Sequence, residues 1–185
     1  MLSLLPLLRI SHALLHAQTP APAPPLQFIG FEVGQSLTGV AERSRALGGR
    51  LACKRSRTDS TLHECQAVMH DSSGRELRLW LSAVDSATSV MTLATRMTVT
   101  GLLRWQGELA EQFGSARERS RGRQHSLQWI RANTMMRLTW RPEAGGLMAS
   151  VSLVDGGRLD AWGRRIEQRM QPVEPVAADS VPPHP

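Results

Sequence analysis

The tripeptide His63-Glu64-Cys65 carries the side chains best suited to covalent chemistry. A cysteine beside a histidine can act as a thiolate nucleophile if the thiol is free and a third group orients the imidazole. Strand alternation puts His63 and Cys65 on one face, and no orienting group stands with them. Cys53, the only other cysteine, lies in a second strand-like segment. Two such cysteines in an oxidising compartment read as a disulfide, so a Cys53–Cys65 bridge is expected, and it removes the thiol. A zinc site would have to enlist His63, Cys65 and His70, whose spacing matches no closed zinc pattern. Asp155-Gly156-Gly157 has the composition of a phosphate or calcium loop but reads as a turn after a strand. There is no Walker loop, dinucleotide glycine pattern or His-Glu-x-x-His motif. The chain is therefore expected to be no enzyme, with no catalytic residue, metal or cofactor.

Recognition chemistry is better represented. Arg78, Trp80, Met135, Arg137 and Arg141, with Met148, share outward parity on strands that the pattern allows to be neighbours. Trp, Arg and Met are enriched at protein interfaces, and Trp and Arg dominate their energetics. These five residues are the expected protein-binding surface. The blander alternative is that Trp80 lies under a helix or loop and the arginines are simply solvated. Stacking on Trp80 with arginines on phosphates would also suit single-stranded nucleic acid, but an exported chain seldom meets that ligand, and a nucleic-acid partner is disfavoured.

The elements that must position these residues alternate in type. Residues 34–49 have helical spacing at Leu37, Val40, Ala41 and Leu47, a Ser36 cap and a Gly48-Gly49 stop. Strand signals follow at Leu51–Lys54, Leu62–His70, Glu76–Val84 and Ser89–Thr98, with turns at Asp71–Gly74 and Asp85-Ser86. In Glu76–Val84, Leu77, Leu79, Leu81 and Ala83 point one way, and Arg78, Trp80, Ser82 and Val84 the other. A second helix is expected over Gly101–Phe113, with Leu102, Trp105, Leu109 and Phe113 on one face and Gly114 as its stop. Arg117–Arg123 is a charged loop or edge strand. Strands at His125–Arg131, Thr134–Arg141 and Leu147–Val154 complete the second unit, Pro142–Gly146 turns the chain, and Leu159–Met170 reads as a last short helix. The expected class is α+β: tandem helix-plus-four-stranded antiparallel sheet repeats, with about two helices and eight strands, the first unit over 26–99 and the second over 100–170.

The chain has 185 residues, 41% of them hydrophobic, enough for one sizeable core or two small units. Aromatics are only 4%, with no Tyr, so the core must rest on Leu, Val, Met and the five Trp. Net charge is +6, and Lys54 is the sole lysine among 22 basic residues. The joint scarcity of Lys, Asn and Tyr points to a GC-rich genome, which weakens any inference from arginine excess to nucleic acid. The excess still permits an acidic partner.

Residues 1–17 are apolar and acid-free, and they read as a signal peptide cleaved after Ala17. Residues 18–25 read as a proline-rich tether, and 171–185, with five prolines, as a disordered tail. No cysteine near the cleavage site offers lipid attachment, and no run of about 18 apolar residues would span a membrane. The expected address is periplasmic or secreted.

Gly34-Gln35-Ser36, Val40 and Leu47-Gly48 in the first unit, with Phe113-Gly114, Trp129 and Val151–Gly156 in the second, form a pattern. It resembles that of β-lactamase inhibitor proteins and of the small outer-membrane assembly lipoproteins of the SmpA/OmlA type. The resemblance covers about 34–162 and encodes helix start, helix stop and one packing aromatic. It implies a helix before a short antiparallel sheet, twice in tandem, binding proteins through an open sheet face without enzyme chemistry. The function expected is an exported protein-binding module whose partner is another exported or envelope protein. The runner-up is an envelope structural or assembly factor, and the third an exported hydrolase of unrecognised type.

Overall fold

The computed structural model describes residues 23–170. The expected signal peptide, the first part of the expected tether and the expected tail lie outside them. The protein is α+β. A two-stranded ribbon, β1 (Gln27–Phe28) and β2 (Phe31–Glu32), leads into α1 (Leu37–Ala46) and the strands β3 (Ala52–Arg55), β4 (Leu62–His70), β5 (Glu76–Val84) and β6 (Ala87–Met97). Then come α2 (Val99–Phe113), β7 (Arg117–Arg121), β8 (Gln124–Arg131), β9 (Thr134–Glu143), β10 (Gly146–Asp155) and α3 (Gly156–Met170). A helix followed by four strands thus occurs twice. The two meanders meet in one eight-stranded antiparallel sheet of order β3-β4-β5-β6-β10-β9-β8-β7. Each meander ends at the centre, where β6 pairs with β10 from Leu147↔Met97 to Val154↔Val90.

Alternation decides which face is buried. Cys65, Ala67 and Met69 of β4, Leu77, Leu79, Leu81 and Ala83 of β5, and Met91 and Leu93 of β6 face one side. Ala149, Val151 and Leu153 of β10, Met136 and Leu138 of β9, and Trp129 of β8 continue it. The helices α1 and α2 and the ribbon supply the other half of this core. Along α2, Leu102, Trp105, Leu109 and Phe113 are buried at helical spacing. The Thr98 hydroxyl accepts from the Gly101 amide to cap the N-terminus, two residues before the start expected from sequence. Trp129 donates its indole N–H to the Gly114 carbonyl at 2.9 Å, tying the sheet to the end of α2. In α1, Ser36 caps through the Gly39 amide as expected, but the buried positions are Val40 and Ser44. Leu37, Ala41 and Leu47 are only partly covered, and the strand that α1 meets is β4, next to the edge of the sheet.

The ribbon carries no expected element, since two-residue strands have no periodicity to read. Its buried Leu26, Phe28 and Phe31 close the core beside α2, with Phe28 edge-on to Trp105 at 4.7 Å between ring centroids. The hairpin turns at Ile29-Gly30 and Asp85-Ser86 both take positive φ, the conformation of the tightest strand reversals. Arg117–Arg121 is an edge strand. Strand β9 runs on through Pro142, which pairs Leu147 and lies past the last β8 partner of β9, so its missing N–H breaks no ladder on that side.

Cys53 and Cys65 face each other across β3 and β4 and are joined by a disulfide, with Cα atoms 4.0 Å apart. Strand β3 has only four residues, all exposed. The bridge is thus the strongest tie holding this edge to the sheet. Closing a loop of that length is worth about 3 kcal/mol in the chain-entropy description. Cys53→Ser is expected to lower the melting temperature of oxidised protein by several degrees, and a superimposable calorimetric trace would refute the staple.

Candidate interface on the open sheet face

The residues of opposite alternation form the second face, and the ladder orders them in rows across the strands. One row reads Ala52, Gln66, Trp80, Thr92, Ser152, Arg137, Gln128, Arg117. The next reads Val68, Arg78, Ala94, Ser150, Thr139, Ser126, Arg119. A third brings Arg96, Met148 and Arg141 side by side. Arg78, Trp80, Met135, Arg137 and Arg141 therefore all stand on this one face. The pattern allows their strands to be neighbours, but β5 and β9 are not adjacent in the sheet. Strands β6 and β10 separate β5 from β9, because each meander turns its last strand to the centre. Trp80 and Arg137 are three strand spacings apart, about 14 Å.

Between them the floor is small and polar. Thr92 and Ser152 share a hydroxyl hydrogen bond of 3.0 Å, flanked by Ala94 and Ser150. Trp80 is 46% exposed and rises as a ridge. A depression of about 470 Å³ runs beside it from β3 and β4 to β6, lined by Lys54, Glu64, Gln66, Ser82, Val90 and Thr92. A second, of about 590 Å³, also borders Trp80 and is lined by Arg78, Ala94, Arg96 and Met148. An indole in this position can be covered from either flank by a partner. Burying it would contribute roughly 1.5–3 kcal/mol, whereas exposed ion pairs contribute about 0–1 kcal/mol each.

The arginines divide by their neighbours. Arg78 pairs with Glu76 at 2.7 Å and Arg141 with Glu143 at 2.7 Å, both exposed. Arg137 is partly buried and donates to the Gln128 side-chain carbonyl at 3.3 Å, with the Met135 sulfur at 3.5 Å. Its guanidinium thus has polar neighbours on the face but no carboxylate partner among the described residues. Met135 lies at its foot.

One end of this face is covered. Val84 has the parity of Trp80 yet is 1% exposed, and it lies outside the main core. Near it, α3 leaves the end of β10, contacts β6 and β9, and reaches the Asp85 turn that follows Val84. Its partly buried Leu159, Trp162 and Ile166 recur at helical spacing. Two aspartates in turns hold it. Trp162 donates to Asp59 at 2.7 Å, and Arg165 reaches Asp85 at 2.8 Å. Asp59, 6% exposed, also accepts from the Thr61 hydroxyl and amide and lies 3.7 Å from Arg169. The Trp162 indole first, then the Thr61 donors, hold the Asp59 carboxyl down at about 2. Neither Asp59 nor Trp162 is legible as a pair from sequence: 103 residues separate them.

The chemically suggestive tripeptide does not assemble a site. The Cys65 sulfur is bonded to Cys53, so no thiolate is available. His63 pairs with Arg55 and Ala83 across the ladder. Asp155 caps the start of α3 by accepting from the Arg158 amide, and Gly156 and Gly157 pack against Asn133, a close approach that a side chain would obstruct.

No protein-family model matches this chain, and no curated protein or solved structure matches it significantly.

Because the folded Asp59 lies below the ordinary carboxylate value, its contribution to α3 docking is fully present above about pH 4 and fades as pH falls through about 2. Amide exchange over Gly156–Met170, taken relative to the intrinsic rate at each pH, is expected to stay slow down to pH 4 and to accelerate between 4 and 2. In Asp59→Asn it is expected to be fast already at pH 5, with the central strands still protected. Equal exchange in the two proteins at pH 5 would show that Asp59 does not hold the helix.

Proposed function

We propose that this chain is an exported, non-enzymatic protein-binding module that engages its partner through the open sheet face. Trp80 is the anchor, and Arg78, Arg137, Arg141 and Met135 are its flanking contacts. The observation that carries the reading is the indole of Trp80, half exposed on a helix-free part of the sheet with a floor of Thr92, Ala94, Ser150 and Ser152 beside it. A soluble protein has little reason to hold a large ring above small residues unless something else covers it. The floor leaves room for a partner element about two strands wide. The partly immobilised Arg137 supplies a directional donor at the far side.

Export is supported by the disulfide and by the apolar, acid-free residues 1–17. A helix-then-four-strands order occurring twice, with Trp129 bonded to the Gly114 that ends α2, fits the resemblance to β-lactamase inhibitor proteins and SmpA/OmlA-type lipoproteins. The competing reading, an envelope structural factor without a discrete ligand, would be favoured by a buried Trp80, and its exposure argues for recognition.

The test is capture from an envelope fraction with the full chain, identification of the bound protein, and titration of that purified protein. Trp80→Ala is expected to weaken binding at least tenfold with an unchanged melting temperature, and Arg137→Ala to weaken it several-fold. Undiminished affinity in Trp80→Ala would remove the open face from consideration.

A further inference from the structure

The edge of the sheet beyond Arg137 has a chemistry of its own. Strand β7 is the outermost strand, and its inner side is fully used by pairing with β8 from Arg117↔Gln128 to Arg121↔Gln124. All five of its residues are exposed. Its outward amides and carbonyls therefore face solvent, the arrangement that accepts an added strand. Within Arg117–Arg121 there is no proline and no bulge to block one.

The side chains say what kind of strand fits. Arg117, Arg119 and Arg121 alternate with Glu118 and Ser120, so the three guanidiniums stand in a column on the open face at steps of about 6.8 Å. Among the described residues none of the three forms an ion pair, in contrast to Arg78, Arg96 and Arg141 on the same face. Arg137, in the row of Arg117, adds a fourth guanidinium without a carboxylate.

We propose that β7 is an acceptor edge for an extended acidic polypeptide segment, which joins the sheet as a ninth strand with carboxylates at alternate positions opposite Arg117, Arg119 and Arg121. The period of the column is the period of a strand, and residues directly opposite on an added strand lie about 4.5–5.5 Å away. Glu118 faces the other side and favours a basic or hydroxyl residue opposite it, which sets the register of the incoming segment. A second copy of β7 is disfavoured, since at most registers it would set arginine against arginine. A nucleic-acid strand would need rings to stack on, and the exposed Trp80 stands five strand spacings away, about 24 Å. An anionic bilayer could attract the arginines but would leave the backbone edge unused. This edge is distinct from the Trp80 surface and does not depend on it.

The experiment is a titration of the full chain with a blocked nine-residue peptide alternating Glu and Thr, with amide exchange followed at Arg117–Arg121. Binding that slows exchange along β7 is expected. It should weaken at least tenfold with a shuffled peptide of the same composition, with a peptide N-methylated at alternate residues, and in Arg119→Glu. Arg119→Gln should fall in between, and Trp80→Ala should bind as the parent does, so that failure here and failure of the sheet-face reading are separable. No binding of the alternating peptide would overturn the proposal. So would equal binding of the shuffled or N-methylated peptide, or attachment to phosphatidylglycerol vesicles with β7 amides still exchanging freely.

Discussion

The pairing of β6 with β10 is the constraint on which the rest of the structure depends. It joins two four-stranded meanders edge to edge and makes the last strand of each a central one. Its register places Met91, Leu93, Thr95 and Met97 beside Leu153, Val151, Ala149 and Leu147, all toward the helices. A slip of one residue would turn the apolar set of one strand outward and put either Thr92 and Ala94 or Ser150 and Ser152 into the core. The cost would far exceed any gain on the other side, so register and burial specify each other. The Thr92–Ser152 hydrogen bond reinforces the same pairing from the open face.

That register also distributes recognition chemistry. In the middle of both central strands the open face is left small, with Thr92, Ala94, Ser150 and Ser152 between Met148 and Arg96 at one end and Val90 and Val154 at the other. Larger side chains on β5 and β9 then stand proud on either side of a shallow floor. The two halves of the face differ in character. The half built from β4 and β5 presents Trp80 and Val68, apolar and half exposed. The half built from β7 to β9 presents arginines over serine, threonine and glutamine, with Ile130 and Met135 at one end. Apolar burial at Trp80 would supply most of the affinity for a partner, and the guanidiniums would act chiefly on encounter and orientation. The helix α3, held by the Asp59 and Asp85 turns, limits how far a partner can extend at one end.

Much of this was legible residue by residue. Glu76–Val84 alternates cleanly, and its bounds and buried face follow directly from that alternation. The helix starts at Ser36 and Thr98 differ in legibility: Ser36 precedes a clear apolar period, whereas Thr98 sits at the end of a Thr-rich strand and hides the first turn of α2. Two consecutive glycines, Gly156 and Gly157, likewise mask the start of α3, which forms because Asp155 caps it and Asn133 packs against it. Strand order was beyond local pattern. Arg78 and Arg137 share a face by parity alone, but their separation depends on β6 and β10 meeting in the middle, a contact between residues about 56 positions apart. The docking of α3 depends in the same way on the Trp162–Asp59 and Arg165–Asp85 contacts, between residues 103 and 80 positions apart.

The most direct measurement of the central pairing is a disulfide map of the Thr92→Cys/Ser152→Cys protein oxidised in air. The two hydroxyls are directly opposed at 3.0 Å. A single continuous sheet predicts a monomer in which peptide mass analysis joins position 92 to 152 and Cys53 to Cys65. Introduced thiols that remain alkylatable, or that join only between molecules, would contradict the pairing of β6 with β10 and with it the open face that the sheet defines.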